Sequence, residues 1–518
     1  MCVGQKFGQR RALGRAQSQQ GRQDSNLQPP VLETGALPIA PRPWAAGECN
    51  WTIAPAHRDD RRHRYARAVV PAASVVPRGR LVTAASAAAV GAVAALLGGL
   101  HLSRRPLWMD EAFDVHFTTL GWGKYLELVR EVEASQALYL LVLKPWLALT
   151  TTDEWAARLP SVVFAAAACA LMVPLGARLL GSRLAGTVAG LFLACNAFSV
   201  EWSQQARTYT LAMFAAVVVT YLFVRAADSG SWGWWIAYGV GAGLSIYAHF
   251  VVAFVLAAHY PALVALSRSS VVKRWLVGTS LGLLIAAPAL DFAVNHDRGQ
   301  AGWVPPLSSR VVNESVEALG GSNGVLLCLA ALGVGLAVCR ALQSEDRWRL
   351  VLTAAWVTVP FLLALGASLF KPLFTDRYLI VVLPALSLSA ALVVTSGGRP
   401  AAVAATAVAL VFAFAQVRDW YTGFVEQDWR AAAELVERRA STRDTIVVHP
   451  GWLAPVAGYY LTEPPTTDTL PAGTTWILSF FDRRAEITEY VTSAGHTIEE
   501  RLEVPGVDVY RVVGPPQP

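Results

Sequence analysis

LVTAASAAAVGAVAALLGGLHL, residues 81–102, runs for 22 residues without a charged side chain, and shortly after it stands Trp108-Met109-Asp110-Glu111-Ala112-Phe113. A helix rising about 1.5 Å per residue needs about 20 apolar residues to cross the hydrocarbon core, so this run is long enough to span a bilayer. Two adjacent carboxylates therefore stand at the mouth of a membrane span. Acids are costly to bring near hydrocarbon, and this pair is bracketed by Trp108, Met109, Ala112 and Phe113 where a plain hydrophilic loop would be expected. Asp110 and Glu111 are the first catalytic candidates.

Outward from that run, the composition is that of a polytopic membrane protein: 54% hydrophobic and 15% charged over 518 residues, with a mean hydropathy of +0.40. The charges gather in short clusters between long apolar stretches. The net charge of +6 is no nucleic-acid signature, because residues 1–80 hold 13 Lys or Arg against 5 Asp or Glu and carry +8 alone, leaving −2 for the rest. No folded basic platform for nucleic acid remains. Residues 1–80 read instead as a basic N-terminal arm without regular structure, in which Arg58, Arg61, Arg62, Arg64, Arg67, Arg78 and Arg80 hold the adjoining end of the first span in the cytoplasm. The first 45 residues have no periodicity and read like a transfer-RNA gene translated as protein, so the expected start of translation lies further on; they contain no apolar stretch that could act as a secretory signal. The six cysteines form no framework. Cys169, Cys195, Cys328 and Cys339 fall in or beside apolar runs, and Cys2 and Cys49 lie in the arm, so neither disulfide nor zinc cluster is implied.

Apolar runs predict spans near 81–102, 159–177, 184–202, 208–224, 233–249, 250–266, 275–293, 323–340, 350–370, 377–394 and 400–416, about eleven transmembrane helices in a domain covering 81–417. With the N-terminus inside, Arg178, Arg183, Arg225, Arg268, Lys273, Arg274, Arg340, Arg347, Arg349 and Arg399 all fall in cytoplasmic loops. The outer face then receives 103–158, the turn Ser203 to Arg207, the loop 294–322, Lys371 to Asp376 and everything after Arg418. The stretch 137–149 is too short to span and carries Lys144 and Pro145, which predicts a helix lying at the interface. Residues 418–518 change character: Asp428 to Ala440 and Asp482 to Ala494 have helical spacing, while Thr445 to His449 and Thr474 to Phe480 read as short buried strands. A small α/β domain on the outer face is expected.

Four ordered motifs follow the first span: Asp110-Glu111; Glu154-Trp-Ala-Ala-Arg158-Leu-Pro-Ser161; Trp202-Ser-Gln-Gln-Ala-Arg207-Thr-Tyr209; and Arg377-Tyr378-Leu379 with Pro384. In this order, across roughly residues 81–420, the chain resembles the GT-C glycosyltransferases that take sugars from polyprenyl-phosphate donors. The similarity is greatest to bacterial relatives of protein O-mannosyltransferases and lipid A aminoarabinose transferases. The resemblance implies a multi-pass protein of the cell membrane with an extracytoplasmic active site, a lipid-linked sugar donor, and a glycan, lipid or protein acceptor. It departs at Ser135-Gln136-Ala137-Leu138-Tyr139, where that family commonly has Pro-Pro-Leu-Tyr after a charged residue. Lys144 lies about two helical turns further on and is no substitute.

Attack of an acceptor hydroxyl with inversion needs a base on the acceptor side, and Asp110 is the candidate. The phosphate leaving group needs cations and hydrogen-bond donors more than a proton. Arg207, Arg377, Tyr378 and Arg158 are expected to bind it, arginine being suited because its planar fork holds two oxygens together. Glu111 acts with Asp110 as base, orients it, or holds a divalent cation; no other cofactor is implied. Arg207 and Arg158 also admit a reading as interfacial anchors. His249, at the end of the fifth span, reads as a phosphate or metal contact or as a hydrogen-bonded structural residue, and His296 and Arg298 are similar cases.

The alternative is a polytopic transporter or flippase of a lipid-linked or small-molecule substrate. Such proteins place ionisable groups near the bilayer midplane and often repeat internally, whereas here the charges gather at span ends and no repeat of 81–250 is present. A membrane-anchored receptor would leave Asp110, Glu111 and the ordered arginines without a purpose. The topology is open to direct test: in a cysteine-free background, Pro464→Cys reacts with a membrane-impermeant thiol reagent added outside and Ser344→Cys does not, and the reverse labelling would overturn the count.

Overall fold

Within hydrocarbon each backbone N–H and C=O must be paired inside its own segment, so uncharged runs of alanine, leucine and valine fold as helices. The computed structural model describes residues 78–295, 304–321, 324–344, 347–423, 425, 427–480 and 483–515. The arm up to residue 77, with Cys2, Cys49 and the start of translation, lies outside the described residues, as do His296, Arg298 and Asp482. The helical part runs α1 (Arg78–Gly99), α2 (Met109–Thr119), α3 (Trp122–Glu131), α4 (Ala137–Leu149), α5 (Glu154–Leu179), α6 (Arg183–Ala194), α7 (Ala197–Ser203) and α8 (Tyr209–Ser229). It continues through α9 (Trp232–Ala248), α10 (Val252–Leu266), α11 (Ser269–Asn295), α12 (Ser309–Leu319), α13 (Gly324–Gln343), α14 (Trp348–Ala367), a 3-10 turn (Asp376–Val382) leading into α15 (Leu383–Val394), and α16 (Arg399–Thr422).

Each of the eleven predicted segments coincides with a helix or, at 184–202, with the pair α6 and α7, bent by 61°. Among the described residues eight helices are long and apolar enough to cross a membrane, nine if the bent pair is one span. The helices α9, of 17 residues, and α10, of 15, stop short of that length on either side of the turn at His249. The chain is a multi-pass membrane protein in which fewer segments reach full spanning length than the eleven expected.

Without a hydrophobic drive between helices in lipid, close association rests on small residues that let backbones touch. A Cβ on Gly239 of α9 would lie 2.3 Å from the Gly278 carbonyl oxygen of α11, so the two helices cross with no side chain between them.

The C-terminal part adds α17 (Trp429–Arg439), β1 (Thr445–Val448), α18 (Ala454–Ala457), β2 (Thr466–Thr467), β3 (Thr474–Phe480), α19 (Arg484–Ser493), β4 (Thr497–Val504) and β5 (Val507–Val513). The sheet order is β2-β1-β3-β5-β4, with β1 parallel to β2 and β3, and β5 antiparallel to β3 and β4. The predicted helices and the two predicted strands are present, and the hairpin β4–β5 is additional. Alternation along β3 decides how the sheet is used. Trp476, Leu478 and Phe480 join Trp429 and Val436 of α17 in one apolar cluster with Leu107, Ala112 and Val115 of the α2 segment, whereas Ile477 packs with Ile487 and Val491 of α19. One face of the sheet thus shares a core with the helix that carries Asp110.

Polar contacts fix the same junction. The Tyr460 hydroxyl accepts from the Leu107 N–H at 2.6 Å and donates to Glu154 at 2.9 Å; Arg430 pairs with Glu154; and the Met109 N–H donates to Gln427 Oε1 at 3.1 Å. At the other end of α2, Lys144 Nζ donates to the carbonyls of Thr118 and Leu120, both at 2.6 Å, closing the helix C-terminus. Because the α9–α11 crossing has no room for a methyl group, Gly239→Ala should lower stability in detergent by at least about 1 kcal/mol despite alanine's better helix propensity. Gly335→Ala, which faces open space, should be neutral or slightly stabilising; equal unfolding temperatures for the two variants would refute the packing argument.

Candidate active site

Helix α2 opens with acids in its first turn, where the positive end of the helix dipole favours them, and Trp108 N–H donates to Glu111 Oε2 at 3.3 Å. From this start the helical period separates neighbours. Asp110 and Asp114 share one face, and Glu111 points to another.

Glu111 is fully buried and meets Arg158 in a two-pronged ion pair, Nε to Oε1 at 2.8 Å and Nη2 to Oε2 at 2.6 Å. The remaining Arg158 donors reach the carbonyls of Leu102, Arg105 and Pro106, and the Ala206 N–H donates to Glu111 Oε1 at 2.6 Å. Arginine has five N–H donors, and here all five are engaged within the protein. Arg158, expected from the sequence at a donor phosphate, in this structure spends its donors on Glu111 and backbone carbonyls. Glu111, for its part, has both oxygens occupied and no opening for a substrate proton or a divalent cation.

The other predicted residues do come together. Arg207 lies two residues before α8, its carbonyl accepts from Ser161 Oγ at 3.2 Å, and Ser161 is hydrogen-bonded to the Tyr139 hydroxyl at 3.0 Å. Its guanidinium binds Asp114 at 2.6 Å through one terminal nitrogen and stands 3.7 Å from Asp110 with the other. Arg377, on the 3-10 turn, approaches Asp110 from another side at 4.0 Å, over the rings of Trp108 and Trp202. The Tyr378 ring lies 5.0 Å from His249, which lies 5.7 Å from Tyr209, itself edge-on to Trp202 at 4.4 Å. Asp110, with 27% of its side chain exposed, is thus faced by two arginines inside an aromatic wall. Three buried donors in this group, Arg207 Nε, Trp108 Nε1 and Trp202 Nε1, have no protein partner among the described residues. Buried donors of this kind usually find a partner in protein or in ordered water.

Asp114, Glu133 and Gln136 are additions to the expected site. Gln136 Nε2 donates to Asp114 Oδ1 at 3.2 Å and to Glu133 Oε2 at 2.8 Å, holding both acids beside Arg207. Burial pushes the Asp114 carboxyl above the usual carboxylate range against the pull of Arg207, and burial likewise raises Glu133. The signal for Asp114 is its spacing of four from Asp110. Gln136 lies in the very segment that departs from the expected Pro-Pro-Leu-Tyr, and Glu133 two residues before it. Gln204 serves elsewhere, tying α1 to α16 through the Leu100 carbonyl and the Trp420 indole. Among the described residues no three His, Cys, Asp or Glu side chains are grouped to hold a metal ion, and the two cations beside Asp110 would repel one.

The family model described as Dolichyl-phosphate-mannose-protein mannosyltransferase matches residues 137–291. No curated protein matches the chain. Among solved structures, ArnT from Cupriavidus metallidurans in the apo state is similar with a TM-score of 0.54 at 14% identity, over 84% of this chain and 98% of that one. The same protein bound to undecaprenyl phosphate gives a TM-score of 0.54 at 13% identity over the same shares. The arabinosyltransferase EmbB from Mycobacterium smegmatis has a TM-score of 0.37 at 15% identity, over 72% of this chain and 40% of that one. The fold is the GT-C fold of ArnT, as the ordered motifs imply.

Removing one member of a buried, hydrogen-bonded charge pair leaves the other uncompensated and typically costs about 3–5 kcal/mol. Glu111→Ala should therefore lower the detergent unfolding temperature or abolish accumulation of the protein. A Glu111→Ala protein as stable as wild type would show that the pair is not structural.

Proposed function

We propose that this protein transfers a sugar from a polyprenyl-phosphate donor to a hydroxyl acceptor at the extracytoplasmic face of the membrane, inverting the anomeric centre, with Asp110 as general base. The observation that carries the reading is the convergence of Arg207 and Arg377 on one partly exposed carboxylate, in a chain with the fold of ArnT. That one structure of ArnT holds undecaprenyl phosphate supports the same class of donor here.

The acceptor oxygen attacks the anomeric carbon as the bond to the phosphate oxygen breaks, its proton passes to Asp110, and polyprenyl phosphate leaves carrying the negative charge. Developing charge on the leaving oxygen is met by donors already in place, which need no reorganisation at the moment of reaction. Arg207 suits this because Asp114 grips one terminal nitrogen while the other, 3.7 Å from Asp110 and beyond hydrogen-bond range, can turn to a phosphate oxygen. Arg377, Tyr378 and His249 complete the cationic and polar wall, and the orphaned N–H groups of Trp108 and Trp202 supply further donors. Glu111 and Arg158 are positioning residues that fix where α2 begins and hence where Asp110 stands. No step requires a metal ion.

Positioned proton transfer contributes about 10²- to 10⁴-fold in rate, so Asp110→Asn should lower turnover of radiolabelled polyprenyl-phosphate sugar by that factor while donor binding survives. Near wild-type transfer by Asp110→Asn would remove it as the base. Arg207→Lys and Arg377→Lys keep the charge but lose the fork, and each should raise the donor KM at least about tenfold; unchanged donor kinetics in both would remove them from the phosphate site.

A further inference from the structure

The face of α2 that carries Asp110 continues into aromatic residues. Phe113 lies three positions beyond Asp110 and Phe117 four beyond that, neighbours on one side of a helix. Their rings stack with centroids 6.0 Å apart and planes 28° apart, and Phe113 also stacks on Trp452 of the C-terminal sheet domain at 6.2 Å and 22°. The two phenylalanines are half-buried, while Trp452 is 43% exposed, which leaves part of its side chain open to a further group.

Trp452 also occupies a particular place in the sheet. The chain goes from β1 to β2 on one side and then to β3 on the other, so the order reverses between the parallel strands β1 and β3. Ligands of open α/β sheets bind outside the carboxyl ends of the strands at such a reversal. Here that end carries His449 and Trp452 after β1, with Arg483 and Glu486 after β3. His449 Nδ1 and the Gly451 N–H both meet Asp468 Oδ1, at 3.1 and 2.9 Å, and Arg483 pairs with Glu486 at 2.8 Å. A row of three aromatic rings therefore joins the helix that carries Asp110 to the loop after β1, where these hydrogen-bonding groups gather.

We propose that Trp452, Phe113 and Phe117 form the platform on which sugar rings of the acceptor lie, and that the acceptor is accordingly a carbohydrate chain. The proposal rests on the transferase reading for the meaning of the word acceptor. A sugar ring offers a flat C–H face to an aromatic ring and hydroxyls at its edge to carboxylates, imidazole and guanidinium, which is the combination present here. An acyl chain would call for a closed apolar groove and would leave the polar rim unused. The C-terminal domain thereby brings the acceptor to Asp110 and contributes one ring of the site.

Saturation-transfer NMR on the purified full chain in nanodiscs, with no donor present, tests this with four probes: mannotriose, maltotriose, cellotriose and an arabinofuranose trisaccharide. At least one should receive saturation at its ring C–H protons. Trp452→Ala and Trp452→Leu should each weaken that signal at least about fivefold, and Trp452→Phe should keep most of it. Leucine retains apolar bulk, so its variant separates loss of the flat face from loss of folding. Saturation of none of the four sugars, or full binding by Trp452→Leu, overturns the proposal. So does a wild-type minus Trp452→Leu difference in tryptophan quenching by brominated phospholipid, which would assign the row to the membrane. Because no donor is used, failure here leaves the transferase reading standing, and failure of transfer leaves this measurement valid.

Discussion

A carboxylate with no exposed surface, Glu111, sits at the start of a helix and is neutralised by an arginine whose five donors are all spent within the protein. Taking both charges out of water is expensive, and the arrangement is tenable only because every donor and acceptor of the pair is matched. That demand for complete matching gives the pair its geometric authority. Glu111 draws together α2, α5 and the turn before α8, and Arg158 binds the carbonyls of the segment joining α1 to α2. Asp110 is the next residue back on the same helical turn, so the direction it faces follows from where Glu111 is held.

The C-terminal domain enforces the same position from the other side. Glu154, one turn before Arg158, takes hydrogen bonds from Tyr460 and Arg430, and the apolar cluster of β3 and α17 continues into Ala112 and Val115. Asp110 is therefore carried by a short helix clamped between a buried ion pair and a folded sheet, the kind of rigid support that a reacting group needs to hold its geometry. Opposite it, Asp114 holds Arg207, and Gln136 in turn holds Asp114 and Glu133.

The helical architecture is legible in the sequence because hydrocarbon leaves so few choices: long uncharged runs must be helices, and all eleven segments read from the sequence are helical. Where a run bends or stops short is not legible, since the break between α6 and α7 and the turn at His249 are set by packing, not by hydropathy. Within the site, Asp110, Arg207, Arg377 and Tyr378 are marked by motif order and stand together, with the lone His249, which no motif marks, beside Tyr378. Glu111 and Arg158 read as chemistry because both are charged and stand beside span ends, Glu111 after the first and Arg158 at the start of the second; only the geometry reveals that they are partners. Asp114 carries a sequence signal in its spacing of four from Asp110, which places both on one face of the helix. Glu133 and Gln136 carry none, because their segment departs from the family motif and only folding brings it beside Arg207. The hairpin β4–β5 carries a mixed charge pattern on β4, which hides the period-two signal of a strand.

At the centre of the account is a phosphate held by Arg207 and Arg377 across from Asp110. A structure of the full chain with bound undecaprenyl phosphate tests this most directly. The account predicts the phosphate within salt-bridge distance of both guanidinium groups, on the side of α2 that presents Asp110, with the Glu111–Arg158 pair intact. A phosphate bound by Arg158, or one lying on a surface remote from Asp110, would contradict it.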